Sequence, residues 1–209
     1  MQGRAKAAAE RWQDPEAARR YARERFGRQR AGARDARLVS ALLARHGVEP
    51  GPGGILDAPC GTGRLRAALA RFGVPVVGLD ASPAMLAESE GARRLVGALP
   101  RLPFSTGSFD VVVCCRLLHH LGAQEELAAA IEELVRVSRR LVIASFWDAA
   151  SLAAWRRRSG LRRDASGRAA LARPRLEQLF RRAGADVIDC AHSFRFVSMQ
   201  AFALARKRG

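Results

Sequence analysis

The stretch Ile55-Leu56-Asp57-Ala58-Pro59-Cys60-Gly61-Thr62-Gly63-Arg64 constrains the fold more than any other part of this 209-residue chain. A short apolar run ends in an acid, and a Gly-x-Gly turn follows and opens a helix. Glycine suits that turn because the backbone must reverse sharply and a Cβ would collide with a ligand lying against the main-chain amides. A strand that turns into a helix this way begins a βα unit, whose strands align in parallel with both faces covered. Ligands of such open sheets sit in the crevice beyond the strands' carboxyl ends.

The pattern on either side extends this unit. Further apolar runs fall at 74–79, 111–115 and 141–144, with a weaker one at Leu95-Val96, and helical stretches over 64–72, 83–89 (Ser82 as cap) and 125–137 separate them. Ahead of them, Asp14-Pro15-Glu16 reads as the N-cap, first-position proline and first-turn acid of a helix through Phe26, closed by Gly27. A second helix over 31–46 sets Leu38, Leu42, Leu43 and the Arg45 stem on one side and stops at Gly47. The Pro/Gly linker at 50–54 divides a helical segment, 1–50, from a domain over 51–209. Within that domain 148–175 is Arg-rich, and Pro174 opens a helix that ends at Gly184. Two closing strands, 186–191 and 196–205, are expected to form a hairpin across 192–195.

Composition narrows the class. With 48% hydrophobic and 27% charged residues the chain is globular, neither disordered nor fibrous. Its apolar runs fall far short of the roughly 18 residues of a membrane span, and the first residues lack a secretory apolar region, so a cytoplasmic location is expected. Cys60, Cys114, Cys115 and Cys190 show neither a disulfide framework nor paired zinc spacing, and are expected as reduced thiols with no metal. Cys114 and Cys115 should point to opposite faces of one strand.

Charge is unevenly spread. The net is +16, with twelve basic against six acidic groups over 1–50, ten against ten over 51–150, and fourteen against four over 151–209. A codon bias toward arginine would spread the excess evenly. Its concentration at the flanks points to something anionic: a phosphate- or carboxylate-bearing substrate, RNA, or an acidic lipid surface.

Two more elements follow the glycine turn. Asp80 ends the run VVGLD, 17 residues after Gly63, where a carboxylate can take both hydroxyls of a ribose. Arg66, three residues after Gly63, stands where dinucleotide binders place Gly or Ala, which disfavours a pyrophosphate. The third element, LPFSTGSFDVVVCCRLLHHL over 102–121, is a turn, a buried strand and then a helix start bearing paired histidines.

In this order the three elements resemble a class I S-adenosylmethionine-dependent methyltransferase of the type 11 group, most fully over 53–147. The resemblance implies an α/β, Rossmann-like sheet of seven strands, six parallel and the last antiparallel, with helices on both faces. It places S-adenosylmethionine over the glycine turn. Asp57, Ala58, Gly61, Thr62 and Gly63 would line its methionine part, Asp80 the ribose, and Ala81 with Met85 the adenine face. Cys115 and Arg116 would face the methyl-transfer centre. By the same likeness, residues 1–50 form a lid over the cofactor through Tyr21, Arg25 and Phe26, and 148–175, with Trp155, Arg156, Arg157, Arg158, Arg162 and Arg163, forms a substrate cap. Two features depart from the group. The acid usual after the third strand is absent from Gly97-Ala98-Leu99, leaving adenine to backbone or packing at Ala98 and Leu99. A PGG turn before the fifth strand is replaced by Val137-Ser138-Arg139-Arg140.

Methyl transfer is an in-line displacement, and an oxygen acceptor must also lose a proton. His120 and His119 are the candidate bases, since a neutral imidazole titrates near working pH; the alternative is that one packs the helix start and the other faces solvent. Asp148, three residues after Ser145, is placed to orient a histidine. The leading expectation is methyl transfer to an O or N of a small, anionic molecule. The rivals are an RNA (tRNA) methyltransferase and a non-catalytic binding module on the cofactor fold. Few aromatics on the flanks and no separate RNA-binding module disfavour the first, and the intact Asp57, Gly61, Gly63 and Asp80 disfavour the second. The sequence carries no signal for a particular oligomeric state.

Overall fold

Apolar runs without polar alternation must be covered on both faces, and the central strands are. The computed structural model describes residues 12–27, 29–89, 91, 93–159, 168–194 and 197–209, without the side chains of 25–32. Seven strands, β1 (Ile55–Asp57), β2 (Val76–Asp80), β3 (Arg94–Val96), β4 (Phe109–Cys114), β5 (Ser138–Trp147), β6 (Ala185–His192) and β7 (Gln200–Lys207), make one sheet in the order β3-β2-β1-β4-β5-β7-β6. β1 is parallel to β2 and β4, β2 to β3, and β4 to β5, while β7 is antiparallel to both β5 and β6. Six strands therefore run one way and one the other, as expected. Strand order reverses between β1 and β4, which is where an open sheet leaves a ligand crevice.

The helices are α1 (Pro15–Gly27), α2 (Gln29–Arg45), α3 (Arg66–Ala70), α4 (Pro83–Ala87), α5 (Gln124–Val137), α6 (Leu152–Arg158) and α7 (Arg173–Arg182). Asp14 caps α1 through the amides of Glu16 and Ala17, and Ser82 caps α4 through that of Met85. One core joins Val39, Leu42 and Leu43 of α2 and Leu69 of α3 to Val111, Val113 and Ile143 of the sheet. The other joins Ile131 and Leu134 of α5 and Phe180 of α7 to Leu56, Val112 and Val142. Cys114 lies in the second core and Cys115 in the first, so the adjacent thiols do face opposite ways.

Several boundaries move. Val39 takes the fully buried place on α2, Leu38 is only half-buried, and Arg45 reaches out to Asp189 at 3.0 Å. The helix expected over 64–72 is the single turn of α3. The closing hairpin is joined by 193–199 rather than four residues, because the Ser193 amide bonds the Gln200 carbonyl at 3.0 Å and β7 begins only there; Val197, with 57% exposure, stays outside the sheet. α5 passes straight into β5, with Ser138 as both its C-cap and the strand's first residue. No helix among the described residues is long and apolar enough to cross a membrane.

Phe180 is fully buried where α7 meets the sheet. Phe180→Ala should cost about 3–5 kcal/mol, read as a lower urea midpoint with an unchanged slope.

Candidate active site

The carboxyl ends of β1, β2 and β4 meet at the glycine turn. Gly61 and Gly63 have φ of 55° and 77°, and a Cβ on Gly63 would stand 2.8 Å from the Ser89 hydroxyl. Both values lie in the left-handed region that glycine enters without strain. The Gly61 amide donates to Asp80 Oδ2 at 2.8 Å, and the Ser82 amide donates to Oδ1 at 2.9 Å. Burial pushes the Asp80 carboxyl above its ordinary pKa, and the amides of Ser82, Gly61 and Ala81 partly offset this. Asp57 is buried at the end of β1, and the amide of the fully buried Ala58 bonds the Val113 carbonyl at 2.9 Å. Thr62 is buried inside the turn. Met85 lies beneath Gly61, Ala81 and Ala98 are exposed, and Leu99 is half-buried.

Beyond β4 the chain takes an unusual course. Arg116 has φ of 63°, a costly conformation for a residue with a side chain. Its amide donates to the buried Ser145 hydroxyl at 2.6 Å, and its Nε donates to Asp35 Oδ2 at 2.9 Å. Ser145 thus anchors the backbone at the site. Burial and the nearby Asp35 carboxylate push the Cys115 thiol well up, so it stays protonated. Tyr21 of α1 accepts a hydrogen bond from Arg64 Nη2 at 2.6 Å, and its ring lies 5.0 Å from that of Trp12. The side chains of Arg25 and Phe26, and all of Arg162 and Arg163, lie outside the described residues.

The paired histidines sit on one 3-10 turn, Leu118–His120, rather than on an α-helix. His119 is 4% exposed and stacks flat on Trp147, with ring centroids 4.5 Å apart and an interplanar angle of 3°. The guanidiniums of Arg157 and Arg168 lie 4.9 and 5.5 Å from the centre of the Trp147 ring. Burial and neighbouring positive charge lower His119 to a pKa of about 3, and burial with Arg168 and Arg116 lowers the half-buried His120 to about 4. Both rings are neutral at physiological pH. Asp148 does orient a histidine, but it is His192, held at 3.0 Å at the end of β6. A wider depression of about 480 Å³ among Ala44, Gly47, Val48, Arg71 and Phe72 contains none of these residues. No group of His, Cys, Asp or Glu among the described residues is arranged to hold a metal ion.

Sequence reasoning missed Asp35, Trp147, His192 and the anchoring role of Ser145. Asp35 had a readable signal: it shares the apolar stripe of α2 with Val39, Leu42 and Leu43 at helical spacing. The others are joined only by contacts across strands.

The lowered histidines have a consequence for stability. Below the unfolded value of 6.5 the unfolded chain takes up protons that folded His119 refuses, so stability present above that pH is lost as pH falls toward 3. The loss for His119 is up to about 1.4 kcal/mol per pH unit. Thermal unfolding at about pH 7.5 and about pH 5 should show a marked drop that His119→Phe reduces; an equal drop in the variant would assign it to other groups.

Residues 56–144 match the methyltransferase domain family. The demethylmenaquinone methyltransferase of Beutenbergia cavernae is 39% identical over 113 residues, 51% of this chain and 45% of that protein. The magnesium-protoporphyrin O-methyltransferase of Synechocystis is 35% identical over 116 residues, 52% and 50% of the two chains. The chain therefore spans about half the length, or less, of the curated relatives it matches. In fold, it is similar to the crystal structure of the Synechocystis magnesium protoporphyrin IX methyltransferase with bound S-adenosylhomocysteine (TM-score 0.69, 24% identity, 86% and 85% covered). It is also similar to an S-adenosylmethionine-dependent methyltransferase from Clostridium acetobutylicum (TM-score 0.71, 13% identity, 91% and 99% covered). With the strand order and the glycine cradle in place, the family match identifies residues 56–144 as similar to the type 11 methyltransferase domain.

Proposed function

We propose that the chain transfers the methyl group of S-adenosylmethionine to an oxygen or nitrogen of a small molecule bearing a carboxylate or phosphate. One observation carries the reading: the cradle of Asp57, Gly61, Gly63 and Asp80 adjoins Arg116, whose charge is felt at both His119 and His120. The residues present fit the cofactor. A Cβ on Gly61 would come into ordinary contact with Met85 Cε at 3.5 Å, so it is the left-handed φ of 55° that calls for glycine and lets the turn present its amides. The Asp80 oxygens accept the Gly61 and Ser82 amides at 2.8 and 2.9 Å, and a carboxylate's four lone-pair sites leave capacity for a ribose hydroxyl. Asp57, with the backbone of Ala58, Thr62 and Gly63, borders the methionine end; Ala81, Met85, Ala98 and Leu99 border the adenine; Cys115 and Arg116 close the side toward the acceptor.

When bound, S-adenosylmethionine supplies an electrophilic methyl group on a sulfonium centre. The protein's own residues then align the acceptor and keep it dry. Neutral His120 offers a lone pair to the acceptor's hydroxyl or amine, backed by His119, whose ring lies 4.5 Å away and is pinned by Trp147. Rings this weakly basic remain deprotonated and act by accepting a hydrogen bond that orients the acceptor, the proton passing on to solvent.

Residues 1–50 serve as a lid. Gln13 donates to the Ala81 carbonyl at 3.2 Å, the Ser82 hydroxyl donates to the Trp12 carbonyl, and Tyr21 engages Arg64. Residues 148–175 serve as the acceptor cap, where the Arg157 and Arg168 guanidiniums over Trp147 suit a carboxylate or phosphate. Relatives named for demethylmenaquinone and magnesium protoporphyrin support a small-molecule acceptor over RNA.

Isothermal titration tests the reading. S-adenosylmethionine and S-adenosylhomocysteine should both bind, indifferent to added total tRNA, and Asp80→Ala should weaken both by about tenfold or more. No heat with either ligand would refute the reading, and an unchanged Kd in Asp80→Ala would refute the ribose role.

A further inference from the structure

Asp35 is an acid on the buried face of α2, with 2% exposure. A carboxylate so placed is costly unless opposite charge and hydrogen bonds compensate it. Its Oδ2 receives Arg116 Nε at 2.9 Å and faces Arg64 Nη1 at 3.7 Å. The two arginines come from different elements: Arg64 directly follows Gly63 of the turn, and Arg116 stands two residues beyond the end of β4. One buried acid therefore gathers two cations, and the cluster keeps a positive charge that nothing within it neutralises.

The donors are unequally used. Arg64 Nη2 is taken by Tyr21. Arg116 engages Asp35 through Nε alone among the described residues, leaving its two terminal nitrogens, while its side chain is 39% exposed. The backbone beneath it is fixed by its left-handed turn and the Ser145 hydroxyl. A planar guanidinium held at one edge, with its donors still available, is prepared for a carboxylate.

We propose that Asp35 is the positioning residue of a carboxylate subsite: it holds the Arg64 and Arg116 guanidiniums beside the glycine turn to receive the acid group of a bound ligand. The proposal rests on the methyltransferase reading above. The acid is either the amino-acid carboxylate of the cofactor or a carboxylate on the acceptor. Removing the Asp35 charge separates positioning from simple attraction, because Asp35→Asn makes the cluster more positive. Attraction alone predicts tighter binding of an acid; positioning predicts weaker binding.

The experiment is calorimetry on the full chain with S-adenosylhomocysteine, with 5′-methylthioadenosine, which keeps the nucleoside but lacks the amino-acid end, and with benzoate added to S-adenosylhomocysteine-saturated protein. Asp35→Asn should weaken an acid-bearing probe by about tenfold, the effect of one lost charge-assisted hydrogen bond, and leave methylthioadenosine unchanged. A loss confined to S-adenosylhomocysteine assigns the subsite to the cofactor, and a loss confined to benzoate assigns it to the acceptor. Asp35→Glu should restore part of the lost affinity. Arg116→Gln, altering a partly exposed side chain, should reproduce the selective loss even if Asp35→Asn does not fold. Equal losses for both nucleosides, tighter binding of the acids, or no change in any probe would overturn the proposal. If the wild-type protein binds S-adenosylhomocysteine and the variants match it on every probe, this inference alone fails; if the wild-type protein binds neither nucleoside, the methyltransferase reading fails with it.

Discussion

The Asp80 carboxylate receives the Gly61 amide on one oxygen and the Ser82 amide on the other, and the rest of the site depends on that joint. It ties the end of β2 to the turn after β1 and to the start of α4, adding to the β1–β2 ladder and to the Cys60 amide, which bonds the Leu79 carbonyl at 2.9 Å. Two amides directed at one carboxylate resist the loosening that a glycine-rich turn would otherwise allow. Burial opposes the charge at the same time, so the joint holds only while both donors stay in place.

The sheet was legible from sequence because a covered parallel strand declares itself within a few residues. The runs at 55–56, 74–79, 111–115 and 141–144 each fall on a strand, and Asp57, Gly61, Gly63 and Asp80 come together at adjoining strand ends. Contacts between distant segments were not legible. Ser145 anchors Arg116 from a neighbouring strand, and Asp148 finds His192 across 44 residues, pairings set by register that no local pattern announces. The histidine pair shows the same limit: LLHHL is plain to read, but the burial, the Trp147 stack and the nearby arginines that keep both rings neutral are assembled by the fold.

The arginine excess divides between structure and site. Arg94 bonds the carbonyls of Leu86 and Ser89 at the end of α4, and Arg136 clamps Glu133 and the Phe104 carbonyl. These side chains support the fold and present little to a ligand. Arg64, Arg116, Arg157 and Arg168 instead gather around the strand ends. Guanidiniums keep their charge across the physiological range while both histidines stay neutral, so the positive field of the crevice hardly changes with pH there.

β7 lies between β5 and β6 although it follows both along the chain. Until it arrives, β5 has an unpaired edge from Leu141 to Trp147, and β6 has no place on the sheet. Five of these β5 residues, Val142 to Phe146, are almost wholly buried in the finished structure. Without β7, the sheet would display an apolar edge open to any extended segment, including the same edge of another molecule. β7 is thus the strand that covers this edge, leaving β3 and β6 as the outer edges of the sheet.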